Sequence, residues 1–351
     1  MDARALCDVV DHGQAHLVVT SPPYPMIEMW DNAFARNDPG AAAALDDEDG
    51  PAAFELMHSA LDIVWDACRR ALCDGGIACV NVGDAVRTLG GQFQLYSNHA
   101  RIVRAFLLLG FQALPSIIWR KQTNAPNKFM GSGMLPPGAY VTLEHEFILV
   151  FRKGGKRAFS SQETARRRQS AFFWEERNAW FSDVWFDLKG TAQKLGSGAG
   201  RARSGAFPFE LPWRLIHMFS IQGDTVVDPF LGTGTTLAAA AAAARNSIGI
   251  ELDKSLAPAI RESALAALET GNRKYTERLA AHREFAAQRI AQGKDLKHTV
   301  RAYGMPCVSK QETDIRFPVM KTIRETRPGR FEASYAQDTV QDDSSSQIAL
   351  F

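Results

Sequence analysis

No stretch of this 351-residue chain is apolar for long enough to cross a bilayer. The most uniform run, the alanines at 238–244, falls far short of the roughly eighteen residues a spanning helix needs. A membrane-spanning protein is excluded on that ground. The amino terminus, Met-Asp-Ala-Arg, has an acid and no apolar segment behind it, so no secretion signal is expected. Cysteine is sparse: Cys7, Cys68, Cys73, Cys79 and Cys307 include no Cys-x-x-Cys pair. That fits a reduced, cytoplasmic setting better than a disulfide framework or a cysteine zinc site. Neither sign of charge is in real excess, the net being +1, so any preference for an anionic partner must come from distribution. What is present is a globular composition, 46% hydrophobic and 23% charged, with length for about two domains.

The charge is unevenly placed. Residues 31–74 carry ten acids against Arg36, Arg69 and Arg70, whereas residues 152–205 carry twelve bases against five acids. The basic stretch includes Arg166, Arg167 and Arg168, followed by Phe172, Phe173 and Trp174. Bases interleaved with aromatics suit a surface that neutralises phosphates and stacks on nucleobases. Charge alone suits a solvated insert equally well.

Hydrophobic patterning alternates between strand and helix. Short β-rich runs at 16–20, 77–82, 113–120, 146–151, 225–228 and 247–251 are separated by helical periodicity at 54–72, 99–109, 211–220 and through the alanine run. This alternation predicts an α/β fold with a mostly parallel sheet. Residues 253–292 read as helix with a break at Gly271-Asn272, and 342–346 as a loosely ordered tail.

Between a predicted strand and a predicted helix lies Asp228-Pro229-Phe230-Leu231-Gly232-Thr233-Gly234-Thr235-Thr236. Glycines permit a sharp turn, and the helix start offers free N–H groups to a ligand. The loop has no lysine, which a phosphate-cradling P-loop requires, and Leu237 stands where a dinucleotide fingerprint needs its third glycine. A nucleoside-type ligand without phosphates remains. Asp228 offers a carboxylate to an ammonium group. Glu251, about twenty residues on, stands where doubly wound sheets hold ribose hydroxyls. A ribose and an amine without phosphate describe S-adenosyl-L-methionine.

A second motif ends the first predicted strand: Thr20-Ser21-Pro22-Pro23-Tyr24. Two prolines fix φ and remove two backbone donors, making a rigid corner at a strand end, where ligands sit in open α/β sheets. Ser21 Oγ and the Pro22 carbonyl are acceptors for an amine, and Tyr24 is a surface for a planar ring.

Together the two motifs resemble the amino-methylating DNA methyltransferases of the permuted beta arrangement, in which the proline-proline-aromatic motif precedes the cofactor loop, as here. The resemblance covers about residues 2–270 and includes Phe207-Pro208, Trp119-Arg120-Lys121 and Phe151-Arg152-Lys153. It implies a Rossmann-like class I methyltransferase fold of circularly permuted motif order, its sheet mostly parallel with an antiparallel hairpin. It implies that Asp2, Phe207, Pro208, Asp228, Pro229, Phe230, Gly232, Gly234, Thr235 and Glu251 hold S-adenosyl-L-methionine, and that Ser21, Pro22, Pro23 and Tyr24 hold the target base. In the family a glycine precedes the acid matched by Asp2; here Met1 stands in its place. The implied layout is a catalytic half at 1–151, a target-recognition insert at 152–205, a cofactor half at 206–270 and a helical extension with a tail at 271–351. Lys128 in the loop 124–138, with Arg166, Arg167 and Arg168, is the candidate DNA contact. The implied partners are double-stranded DNA, a cognate restriction endonuclease acting on the same site, and a second copy of the chain.

The chemistry would turn the amine lone pair toward a sulfonium methyl by hydrogen bonds to Ser21 and the Pro22 carbonyl, on a base flipped out of the duplex. Asp84, after a predicted strand, is a candidate for taking the final proton, though a loop cap is its simpler reading. No metal is called for, and His145 between Glu144 and Glu146 reads as an ordinary strand-end histidine. In the family, serine before Pro-Pro accompanies methylation of the cytosine N4 amine, and Asp or Asn that of the adenine N6 amine. Adenine methylation, a degenerate fold that only binds nucleic acid, and an RNA or protein amide methyltransferase are the competing readings. A carbon-5 mechanism would need a cysteine nucleophile, and the lone Pro306-Cys307 pair lies beyond the cofactor half.

Overall fold

Burial along the first strand follows the period of two that a strand buried on both faces requires. Leu17 and Val19 enter one hydrophobic cluster and Val18 the other. The computed structural model describes residues 1–121, 135–138, 140–190, 207–336 and 346–350. In chain order the strands are β1 (Ala15–Thr20), β2 (Leu72–Val82), β3 (Ala85–Leu89), β4 (Gln92–Tyr96), β5 (Phe111–Arg120), β6 (His145–Lys153), β7 (Val184–Trp185), β8 (Thr225–Asp228), β9 (Asn246–Gly249), β10 (His298–Val300), β11 (Met305–Cys307), β12 (Met320–Arg327), β13 (Arg330–Tyr335) and β14 (Ser346–Leu350). The α-helices are α1 (Asp31–Asn37), α2 (Pro39–Asp46), α3 (Gly50–Ala71), α4 (Asn98–Leu108), α5 (Ser161–Gln169), α6 (Trp174–Trp180), α7 (Glu210–Phe219), α8 (Thr235–Ala242) and α9 (Ala257–Ala291).

Among the described residues, ten strands form one sheet in the order β12-β13-β14-β9-β8-β1-β2-β6-β5-β7. The run from β14 to β2 is parallel, and β6 enters antiparallel between β2 and β5. This is the expected α/β sheet, mostly parallel with antiparallel hairpins. β1 pairs with both β2 and β8, so the chain leaves it toward one side for β2 and returns on the other side for β8. Such a switch point opens a crevice at the carboxyl ends of the strands.

Helices α3 and α4 cover one face with Trp65, Ile102 and Phe106, and α7, α8 and α9 cover the other with Trp213, Leu215, Ala239, Ala240 and Tyr275. No helix among the described residues is long and apolar enough to cross a membrane.

Two expectations fail at the carboxyl side. α9 runs unbroken through Gly271-Asn272. The glycine is there for space: a Cβ on Gly271 would lie 2.7 Å from Ala242 Cβ, so it lets α9 close on the alanine helix α8. The extension 271–351 is not simply helical either. After α9 it forms the hairpins β10–β11 and β12–β13, and β14 then joins the main sheet between β13 and β9. Local periodicity could not register these strands, because β14 finds its partner a hundred residues away. Of the predicted tail 342–346, all but the last residue lies outside the described residues.

Candidate active site

The carboxyl ends of β1 and β8 open into a cleft of about 1330 Å³. From one half of the chain Ser21, Pro22, Pro23 and Tyr24 line it; from the other come Phe207, Pro229, Phe230, Gly232, Thr233, Thr235 and Glu251, with Asp2 beside them. Motifs two hundred residues apart thus share one wall. The hydrogen bond that joins them runs from Thr20 Oγ1 to Asp228 Oδ1 at 2.6 Å.

Asp228 is 2% exposed and stands behind the lining. Its Oδ1 also accepts from the Phe230 N–H at 3.1 Å, so the carboxylate braces the loop against β1. Burial, outweighing those bonds, pushes its pKa up to about 6. Gly232 and Gly234 both have positive φ, +57° and +87°, as the loop demands. Around Gly232 there is open space, whereas a Cβ on Gly234 would press on Ile260 of α9 at 3.3 Å. Gly234 is therefore a packing residue and Gly232 the one that faces the cleft. Phe230 packs edge-on against Trp65, ring centroids 6.1 Å apart. Pro208 lies behind Phe207, its carbonyl accepting from Leu211 N at the start of α7.

Glu251 lies two residues past β9. Its Oε2 accepts from Gly232 N at 2.8 Å and its Oε1 from Asp253 N at 2.7 Å, and burial raises its pKa. A carboxylate pinned by two N–H groups keeps lone pairs for a pair of hydroxyls. Asp2 caps the short 3₁₀ turn Ala3–Asp8 and is gripped by Arg4, which lowers its pKa. With no lysine on the loop, the lining suits a nucleoside bearing a ribose and no phosphate.

The other side of the cleft is a polar network. Asn81 Nδ2 donates to Tyr24 Oη at 3.0 Å and to Glu146 Oε2 at 2.7 Å. Tyr24 Oη donates to Glu146 Oε2 at 3.1 Å and lies 3.1 Å from Ser21 Oγ. Lys121 Nζ contacts Glu146 Oε1 at 2.8 Å. Asn81, Glu146 and Lys121 were not singled out in the sequence for this role. No local motif marks them, since only the antiparallel pairing of β2 with β6 and of β6 with β5 brings them to Tyr24. Asp84 plays the capping role of its simpler reading: its Oδ1 accepts from His99 N at 3.0 Å, and His99 Nδ1 lies 2.8 and 2.7 Å from its two oxygens.

The expected DNA contacts do not gather here. Lys128 lies outside the described residues. Arg166, Arg167 and Arg168 sit on α5, at the amino ends of the parallel strands: Arg166 lies against Gly223 before β8, Arg167 stacks on Phe159, and Arg168 meets Asp314 at 3.9 Å. The length of β1, about 17 Å, separates that end from Ser21. From the same insert, β7 pairs with the far end of β5 and delivers the 65%-exposed Phe186 and Gly190 to the cleft end, Gly190 packing beside Lys121. The His–acid cluster Glu175, His282 and Glu312 does not line the cleft, and its histidine is held by Glu175 and by the Pro306 carbonyl.

Residues 15–262 match the family model for DNA methylases. The chain is 48% identical over 337 residues to the type II methyltransferase M.MthZI of Methanothermobacter thermautotrophicus, covering 95% of this chain and 94% of that one. The chain belongs to the DNA methylase family, the S-adenosyl-L-methionine-dependent N6/N4 amino methyltransferases. It is also 48% identical over 274 residues to the type II methyltransferase M.MjaI of Methanocaldococcus jannaschii, covering 74% and 88% of the two chains. A Thermus thermophilus protein assigned as a DNA modification methylase and solved with S-adenosyl-L-methionine shares 33% identity at a TM-score of 0.58 over 76% of this chain and 93% of that one. The cytosine-N4-specific PvuII DNA methyltransferase shares the methylase fold, at 17% identity and a TM-score of 0.53 over 77% and 91%.

Proposed function

We propose that this methylase transfers a methyl group to the exocyclic N4 amine of a cytosine flipped out of double-stranded DNA. The observation that carries the reading is Ser21: it lines the cleft at the end of β1, and its hydroxyl lies within hydrogen-bond distance of Tyr24. Tyr24 Oη gives its proton to Glu146, so Ser21 is the donor in that pair, and its lone pairs remain for an amine. Serine before Pro-Pro is also the residue that accompanies the cytosine amine in the family.

When bound, the cofactor supplies an electrophilic methyl on a sulfonium. Glu251 takes the ribose hydroxyls, Phe230 and Phe207 supply apolar walls, and Gly232 lets the ligand approach the backbone. On the facing side, Ser21 Oγ and the Pro22 carbonyl accept the two amine hydrogens, which aims the nitrogen lone pair at the methyl. Alignment of that kind supplies much of the rate. The Tyr24 ring stacks on the extruded base, offsetting part of the few kcal/mol that flipping costs.

The type II name of the two relatives supports methylation at one defined sequence and a companion endonuclease. The exit of β7 beside the cleft supports base reading by that part of the insert. Nucleoside mass spectrometry of duplex DNA incubated with labelled S-adenosyl-L-methionine tests the reading. N4-methylcytosine is expected; N6-methyladenine would overturn the base and keep the family.

A further inference from the structure

The hydrogen-bond chain from Ser21 does not stop at Tyr24, and valence fixes its direction. Glu146, as a carboxylate, only accepts, so the Tyr24 proton points to it. Asn81 faces both groups with its amide nitrogen, because its carbonyl could not sit 2.7 Å from a carboxylate oxygen. Ser21 and Asn81 then both donate to Tyr24 Oη. Every proton along the cleft wall from Ser21 through Tyr24 points toward Glu146. Tyr24 is half-buried, and burial together with the Glu146 charge pushes its pKa well above the ordinary tyrosine value, so it can pass a proton but not hold a negative charge. The end of the chain is tied down: the Glu146 side chain is 12% exposed and bound to Lys121.

We propose that Glu146 terminates a proton relay that drains the amine as it is methylated. The proposal rests on the amine reading above, whichever base carries the amine. As the nitrogen gains its methyl group it becomes positively charged, and one N–H bond breaks with the electron pair returning to nitrogen. Ser21 Oγ takes that proton, the Ser21 proton passes to Tyr24 Oη, and the Tyr24 proton passes to Glu146 Oε2. One N–H and two O–H bonds break and three O–H bonds form. Glu146 ends as a neutral acid beside Lys121 and returns its proton to water once product leaves. Glu146 and Asn81 are thus positioning residues that act through Tyr24. Asp84 has no part in this chain, its carboxylate being held by His99.

The test is single-turnover transfer of labelled methyl to duplex DNA by wild type, Tyr24→Phe, Glu146→Gln, Glu146→Asp and the double variant Tyr24→Phe/Glu146→Gln. Phenylalanine keeps the stacking ring and removes only the hydroxyl. Each of Tyr24→Phe and Glu146→Gln is expected to slow transfer by about 100-fold, the lower end of the usual range for proton transfer by a positioned side chain. Affinities for S-adenosyl-L-methionine and DNA should stay within about threefold, which also reports that the variants fold. The double variant should be no slower than the slower single, because one broken relay cannot be broken twice. Glu146→Asp, which keeps the carboxylate, should recover part of the rate. Wild-type speed in Glu146→Gln, or multiplication of the two effects in the double variant, overturns the relay. The base reading is judged on which nucleoside wild type labels and the relay on the ratio of variant to wild-type rate, so either can fail alone.

Discussion

The two ends of the parallel strands use charge in opposite ways. At the amino ends, Arg157 is clamped between Asp224 and Glu163 at 2.6 and 2.7 Å, with His16 at 3.8 Å from the same aspartate. Glu163 is held down to about 2 by the Ser160 N–H and by Arg157. These charges pin the insert to the sheet. At the carboxyl ends the cleft wall is largely apolar, and the polar groups around Tyr24 form one network from Ser21 to Lys121. A basic stretch is therefore not a nucleic-acid surface merely because it is basic: what its charges already touch decides.

The comparison is broken most directly at the cofactor loop. Gly232→Asp should weaken S-adenosyl-L-methionine binding by at least about 100-fold in a folded protein, read by calorimetry. It forces an L side chain into a positive-φ position and sets a second carboxylate near Glu251. Unchanged affinity would mean that the loop does not face the ligand. At the other end, Arg157→Ala should cost about 3 kcal/mol of stability in a denaturant titration, because it leaves the buried Asp224 without its strong partner. Methyl transfer by the remaining folded protein should be unaffected.

Asp228 sharpens the contrast through pH. Its pKa of about 6 in the folded chain exceeds the ordinary 3.8, so the folded state holds the proton more tightly. Stability is therefore highest below pH 4 for this group and falls as pH rises through 6, by roughly 2–3 kcal/mol. Asp228→Asn keeps both bonds, since both go to the one oxygen Oδ1, and should flatten that window. A pH profile of stability unchanged by the substitution would reassign the dependence to another group. The smallest effect is expected from replacing Arg166, Arg167 and Arg168 together by Gln: DNA affinity and its salt dependence should stay within about twofold. A salt slope lowered by two or three contacts would bring DNA to this end after all.

What could be read from the chain was whatever a short window contains. The strand 225–228, the glycine loop after it and the proline corner after β1 all sit where their local chemistry places them. Glu146 escaped because its partners, Asn81, Tyr24 and Lys121, come from three other segments, joined only by sheet order. The arginines of α5 were visible as charge and invisible as location, since Gly223 and Asp314, against which Arg166 and Arg168 lie, are far from them in sequence. Gly271 looked like a helix break because intrinsic propensity disfavours glycine; packing against Ala242 overrides that cost.

The bond from Thr20 to Asp228 spans 208 positions of sequence and 2.6 Å of space. Nothing in it records which partner was synthesised first. Any chain order that lays β1 beside β8 in parallel makes the same bond and the same cleft, so the genetic order of the halves is free to vary while their contact is not. The site is separable in synthesis and inseparable in space.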